Sequence, residues 1–235
     1  MTKSKTNVDI WLERETEHKR KALENASRYF DGKDTFTVNT LEAIYGQESS
    51  FGTQLRNRGI KGAAGEFHLE KNTAQQYGLI VSKKNDQRFN IDYASIAAAR
   101  YLKDLDRAFS KRTVLFKGTV TIPISDSSER EKFVLAAYNG GGRRIADAQY
   151  FAQQAGNDPS QWDEVQTFLE EAHFSHSKIN EILQYVENVT KNEIEFADKS
   201  SADKKAKNKP INKRKNPCAD GHWITKDNHH IFICD

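Results

Sequence analysis

Long apolar runs are missing from this chain, and that absence is the first constraint on what it does. No stretch reaches the roughly 18 apolar residues that a membrane-crossing helix needs, so no membrane span is expected. The N-terminal Met1-Thr2-Lys3-Ser4-Lys5 leads to Trp11-Leu12-Glu13-Arg14 with no apolar run between them, so the signal-peptide pattern fails. Aromatic residues are missing from the one strongly basic segment. Residues 199 to 215 hold eight basic residues and one acidic, a charge of +7 within a net +3. Nucleic-acid binding shows as a basic face interleaved with aromatics or as a recognisable module, and neither is present, so nucleic acid is not an expected partner. The segment reads as a solvated linker, with attraction to an anionic wall or another polyanion as the alternative. Internal repeats are absent as well.

Cysteine is scarce, with Cys218 and Cys234 the two in the chain. Their mirrored spacing to His222 and His230 invites a metal site, but two strand residues four apart lie about 13 Å from each other. That is too far for a shared zinc with ligands at about 2.0 to 2.3 Å, so no metal and no cofactor is expected. A disulfide between Cys218 and Cys234, suited to an oxidising destination, is the preferred reading, with two free thiols as the alternative.

What is present is a polar chain of mean hydropathy −0.80 with 37% hydrophobic residues over 235 positions, long enough to bury a core. Residues 8 to 31 predict a charged lead-in helix, broken by Asp31-Gly32-Lys33-Asp34. Leu41, Ile44, Tyr45 and Glu48 then fall at i, i+3, i+4 and i+7 of a helix started by Asn39 or Thr40 and ended near Gly52. A long helix follows from Asn90 to about Phe109, with Ala97-Ala98-Ala99 permitting close packing. Ser128 and Glu131 form a capping-box pattern for a helix that Asn139-Gly140-Gly141-Gly142 stops. Asp158-Pro159 reads as the start of a helix through Trp162 to Ala172, and Ile179, Ile182, Leu183, Val186 and Val189 stripe a last helix ending about Phe196. No alternating strand pattern of any length interrupts these. Beyond the linker, residues 222 to 225 and 229 to 234 predict a hairpin about Asp227-Asn228, pairing Ile224 with Ile231 and Trp223 with Phe232. The expected division is a helical lead-in over 1–34, a mainly α domain over 35–197, a basic linker over 198–216 and a hairpin tail over 217–235.

A carboxyl on an apolar helix face, as Glu48 is, can be held protonated by desolvation and serve as a general acid. Periodicity alone leaves open a glutamate that merely reaches solvent. Four blocks in order bear on that choice: Gln47-Glu48-Ser49-Ser50-Phe51; Gly62-Ala63-Ala64-Gly65 with Thr73-Ala74 and Tyr77-Gly78-Leu79; Ala136-Ala137-Tyr138-Asn139-Gly140-Gly141; and Glu181 with Tyr185-Val186. Together they resemble the soluble lytic transglycosylase family, which has a goose-type lysozyme-like fold. The resemblance implies Glu48 as the single acid and base, residues 62 to 69 as a cleft wall, and Ser49, Gly65, Glu66, His68, Tyr138, Asn139 and Tyr185 beside the substrate. Core packing is the alternative for the two tyrosines, and a buried strand residue the alternative to sugar stacking for Trp223.

The implied reaction protonates the oxygen between N-acetylmuramic acid and N-acetylglucosamine and closes the muramic 6-hydroxyl onto its own C1, leaving a 1,6-anhydro sugar on the peptidoglycan strand. This chain departs from the family pattern at Glu66-Phe67-His68, where Leu, Met and Gln are more usual. Glu66 could be a second carboxylate that positions water for hydrolysis, or one that faces solvent or a neighbouring base. His68 would replace a substrate-facing amide with fewer donors. A muramidase-type hydrolase, a related enzyme on chitin-like glycans and a non-catalytic wall-binding or assembly module are the competing functions. Action at the cell wall or periplasm is expected, reached by non-Sec export or by lysis, with a secretion machine, a phage particle or an immunity protein as candidate partners. The hairpin also resembles short tail modules of phage and secreted wall-related proteins.

Overall fold

The computed structural model describes residues 4–31, 35–56, 62–207, 221–226 and 229–234. The chain divides into two compact units, Met1–Ala197 and Asp198–Asp235. The first unit is mainly helical, as the periodicities predict, and its described residues hold isolated bridges in place of a sheet.

Two helices replace the single lead-in helix, α1 (Asn7–Arg14) and α2 (Glu17–Ser27). Glu15 and Thr16 take extended backbone, and Thr16 restarts the helix by accepting the Lys19 amide on its side chain. Val8, Trp11, Ala22, Leu23 and Ala26 are buried in the same core as the rest of the unit. Next comes α3 (Val38–Ser49), one or two residues earlier than expected, because Thr37 and Thr40 cap its start reciprocally. Gly46 lies inside α3, where glycine costs about 1 kcal/mol relative to alanine. The reason is contact: a Cβ there would sit 2.3 Å from Cε3 of Trp11. The indole is stacked with Phe51 and Phe196, each at 6.3 Å.

After the short α4 (Lys71–Gln76), α5 (Ile91–Ser110) runs close to its expected span. Asn90 caps it, its side-chain oxygen accepting from the Asp92 amide at 2.9 Å. Ala94, Ala97, Ala98 and Ala99 are fully buried, and their small side chains let α2 and α6 (Ser127–Gly140) pack closely against it. The cap of α6 is Asp126, not the expected Ser128, its carboxylate accepting from the Ser128 and Glu129 amides at 2.8 and 3.0 Å. The glycine run stops α6 at Gly140, but Gly141 (φ +94) is a single-residue joint and α7 (Gly142–Gln154), which the patterning did not indicate, starts at once.

Asp158 caps a turn through Ser160, and the helix expected through Ala172 is reduced to the brief α8 (Trp162–Val165) continued by a 3-10 turn over Gln166–Phe168. The last helix, α9 (His176–Lys207), overruns its expected end at Phe196 and enters the basic segment read as a linker. In the second unit, β1 (Gly221–Lys226) and β2 (His229–Cys234) pair antiparallel with Ile224 opposite Ile231 and Trp223 opposite Phe232, the expected register. Cys218 lies outside the described residues, and with it the expected disulfide to Cys234.

Candidate active site

Several elements of the first unit converge on a cleft of about 500 Å³. The last turn of α3 supplies Glu48, the 62–70 loop His68, α5 Tyr101, the end of α6 Tyr138 and Asn139, and the start of α9 Lys178 and Glu181. Such a volume suits a ligand of a few sugar rings.

Glu48 owes its placement to an unusual helix end. Ser50, Phe51 and Gly52 are successively left-handed, at φ +52, +58 and +78. For the two residues with side chains this conformation costs of order 1–3 kcal/mol each. The lead-in helices hold the turn there. Trp11 Nε1 donates to Ser50 Oγ at 3.1 Å, Arg14 donates to the Ser50 carbonyl at 3.0 Å, and Lys19 donates to the Phe51 carbonyl at 2.7 Å. Two cations thus sit on the carbonyl end of α3, where the helix dipole favours them. Phe51 is fully buried, 4.7 Å from the Tyr45 ring.

The Glu48 side chain is 13% exposed, with His68 Nδ1 3.1 Å from its Oε2. The other ring nitrogen, Nε2, lies 2.9 Å from the Gln54 carbonyl. Behind Glu48 stand two phenols, Tyr138 and Tyr185, with rings stacked at 6.4 Å. Burial, and then the Glu48 charge, push both well above the ordinary phenol range, so each keeps its proton. Tyr138 spends it on the Phe67 carbonyl at 3.0 Å, whereas the Tyr185 hydroxyl is buried with Glu48 as its hydrogen-bonding neighbour. Tyr101 packs 5.3 Å from Tyr138 and is pushed up to about 12 by burial. On the opposite rim, Lys178 donates to Asn139 Oδ1 and to Glu181, both at 2.9 Å, and Asn139 Nδ2 donates to Glu181 at 3.2 Å. Burial alone would raise the Glu181 carboxyl, but the bonds from Lys178 and Asn139 outweigh it and hold it below the usual carboxylate range.

The structure therefore brings Glu48, His68, Tyr138 and Asn139 to the cleft, with Tyr185 behind them, and leaves three expected residues elsewhere. Ser49 is fully buried and works locally, donating to the Tyr45 carbonyl and accepting the Gly52 amide at 3.0 Å. Gly65 (φ +84) makes room for protein and not for a sugar, since a Cβ there would lie 2.0 Å from the Arg88 carbonyl oxygen. Glu66 points away from the cleft into the core, accepting the Tyr45 hydroxyl at 2.7 Å, its pKa raised by burial. His68 lines the cleft, but with its nitrogens at Glu48 and Gln54 it has no spare donor for a sugar hydroxyl.

Sequence reasoning missed Tyr101, although it follows Ala97 and Ala98 by four and three residues on the packed face of α5. It also missed Arg88. This fully buried guanidinium pairs with Asp86 at 2.8 Å and donates to the Gly62 and Leu69 carbonyls at 2.7 and 3.1 Å, fixing both ends of the cleft-wall loop. A lone arginine in a polar stretch carries no signal of that kind.

Comparison with known proteins identifies the family. The family model described as "Transglycosylase SLT domain" matches residues 27–160, more than half of the chain. Among similar curated proteins are the membrane-bound lytic murein transglycosylases F of Cronobacter sakazakii, 28% identical over 163 residues, and of Enterobacter sp., 29% identical over 163 residues. Each match covers 66% of this chain and 28% of the relative. The corresponding protein of Desulfosudis oleivorans is 26% identical over 164 residues, 66% of this chain and 32% of its own length. The matched region thus spans about a third or less of these relatives. With a glutamate at a strained helix end, a phenol wall behind it and a family match over the greater part of its length, this chain belongs to the transglycosylase SLT domain family.

Proposed function

We propose that the chain is a lytic transglycosylase that cleaves the bond between N-acetylmuramic acid and N-acetylglucosamine in peptidoglycan, acting at the cell wall, with Glu48 as acid and then base. The observation that carries this reading is the placement of Glu48: a carboxyl 13% exposed, in a cleft, backed by phenols that stay neutral. In such a setting its interactions with a developing charge are poorly screened and correspondingly strong.

Glu48 gives its proton to the glycosidic oxygen as the C1–O bond breaks. The resulting carboxylate then takes the proton of the muramic 6-hydroxyl as that oxygen bonds to C1. Hydrolysis by a carboxylate pair has less support. Glu66 faces Tyr45, Glu181 is paired with Lys178, and Glu70, also at the rim, is solvent-exposed.

Glu48→Gln keeps the shape and removes the acid. Release of soluble muropeptides from purified sacculi is expected to fall at least about 10²-fold, and undiminished release would sink the assignment. Mass spectrometry of the wild-type digest should show 1,6-anhydro ends; reducing ends alone would mean hydrolysis by the same acid.

A further inference from the structure

His68 occupies a position where the resemblance implies an amide, and its surroundings restrict its protonation. The partner of Nε2 is the Gln54 carbonyl, 2.9 Å away. A carbonyl oxygen only accepts, so Nε2 carries a hydrogen. In the neutral ring Nδ1 then presents a lone pair, and what it faces at 3.1 Å is Oε2 of Glu48. A bare lone pair against an ionised carboxylate at that distance, with side-chain exposures of 7% and 13%, is repulsive and poorly screened. One proton between the two groups removes the repulsion, whether it sits on Oε2 or on Nδ1.

The backbone supports the same arrangement. His68 has φ +43, a left-handed conformation uncommon for a residue with a side chain. The turn is closed by its amide on the Gly65 carbonyl, and flanking Leu69 is tied to Arg88. The ring is therefore aimed by the loop. No neighbour offers the pair another proton donor of ordinary acidity. The phenols behind it, on α5, α6 and α9, are all raised. The charged groups on the remaining walls are Arg56 and Glu70 on the loops and the Lys178–Glu181 ion pair of α9.

Resting on the reading of Glu48 as the acid, we propose that His68 is a positioning residue that holds a single proton in common with Glu48 and so fixes where the carboxyl points. The proton count closes over a cycle. The shared proton leaves from Oε2 to the glycosidic oxygen, the carboxylate is stabilised beside the imidazole, and the 6-hydroxyl proton restores the one-proton pair. His68 itself touches neither sugar nor leaving group.

Two measurements test this, and one is independent of activity. In ¹⁵N-histidine NMR of the full chain, with the His68 signal assigned by its loss in His68→Gln, Nε2 should be the protonated nitrogen. The pH at which Nδ1 takes its proton should fall by about one unit in Glu48→Gln, the scale of a close charge partner. An unmoved signal, or a ring protonated on Nδ1 alone, overturns the proposal. In the sacculus assay, His68→Gln should keep its fold while the alkaline limb of its pH profile moves by about one unit. A uniform loss of rate with an unmoved limb would mean a merely structural histidine and also overturns it. A wild-type chain inactive on wall would instead count against the proposed function, and the ring titration would still decide whether the proton is shared.

Discussion

Two helix ends line the cleft, and they solve the same problem in different ways. The end of α6 turns through Gly140-Gly141, and at Gly141 (φ +94) nothing lies within 4 Å of where a Cβ would be. That joint is made by the conformational freedom of one glycine. The end of α3 turns through Ser50 and Phe51, both left-handed with side chains, and is held by Trp11, Arg14 and Lys19 from another part of the chain. A turn made of glycine is self-contained, whereas a turn forced on ordinary residues depends on distant partners. The residue just ahead of the forced turn, Glu48, is the one whose aim decides the chemistry.

The comparison yields stability predictions that descend in size. Trp11→Ala removes a ring 6% exposed that stacks on Phe51 and Phe196 and donates to Ser50, so a loss of about 3–5 kcal/mol is expected in urea unfolding. A loss below about 1 kcal/mol would mean that the α3 turn stands without its clamp. Gly141→Ala meets no atoms and should cost the backbone strain alone, about 1–3 kcal/mol, visible as a drop in Tm of a few degrees. A neutral result would show that the joint tolerates a side chain and that the two ends are less different than they look. Ser50→Gly should be the smallest. It relieves about 1 kcal/mol of left-handed strain and loses the Oγ contacts to Trp11 and Arg14, about 1 kcal/mol each, leaving a net change within about 1 kcal/mol. A larger destabilisation would assign the clamp to that one hydroxyl.

What the sequence made legible was local. Glu48 on its helix face, the helix beginning at Asn90, the Tyr138-Asn139 break and the hairpin register follow from periodicities and turn chemistry within a few residues. The motif blocks carried the family, because their order and spacing survive where overall identity is low. The misread residues have two causes. Gly65 and Glu66 lie within a motif block, but which way each faces is set by Arg88 and Tyr45, far away in sequence, whereas Ser49 is committed to its own helix end through Tyr45 and Gly52. Nothing in the patterning singled out Trp11. Its significance needed Gly46, thirty-five positions on, whose missing side chain is a space only in three dimensions. The first turns of α9 were foreseen, but not its run to Lys207, since the apolar stripe ends before the helix does.

That space in α3 also fixes an angle. Successive residues of a helix are rotated by about 100°, so Gly46 and Glu48 stand about 200° apart around the axis of α3. Trp11 therefore presses on nearly the opposite side of the helix from the cleft. A flat indole seated where no Cβ exists works as a key in a slot, and it leaves α3 no freedom to turn about its own axis. A side chain at position 46 would lift the indole and let the helix rotate, so the harm at the cleft would reach further than the lost packing. The carboxyl of Glu48 would swing away from the ring of His68, and the azimuth of the acid would be lost from behind.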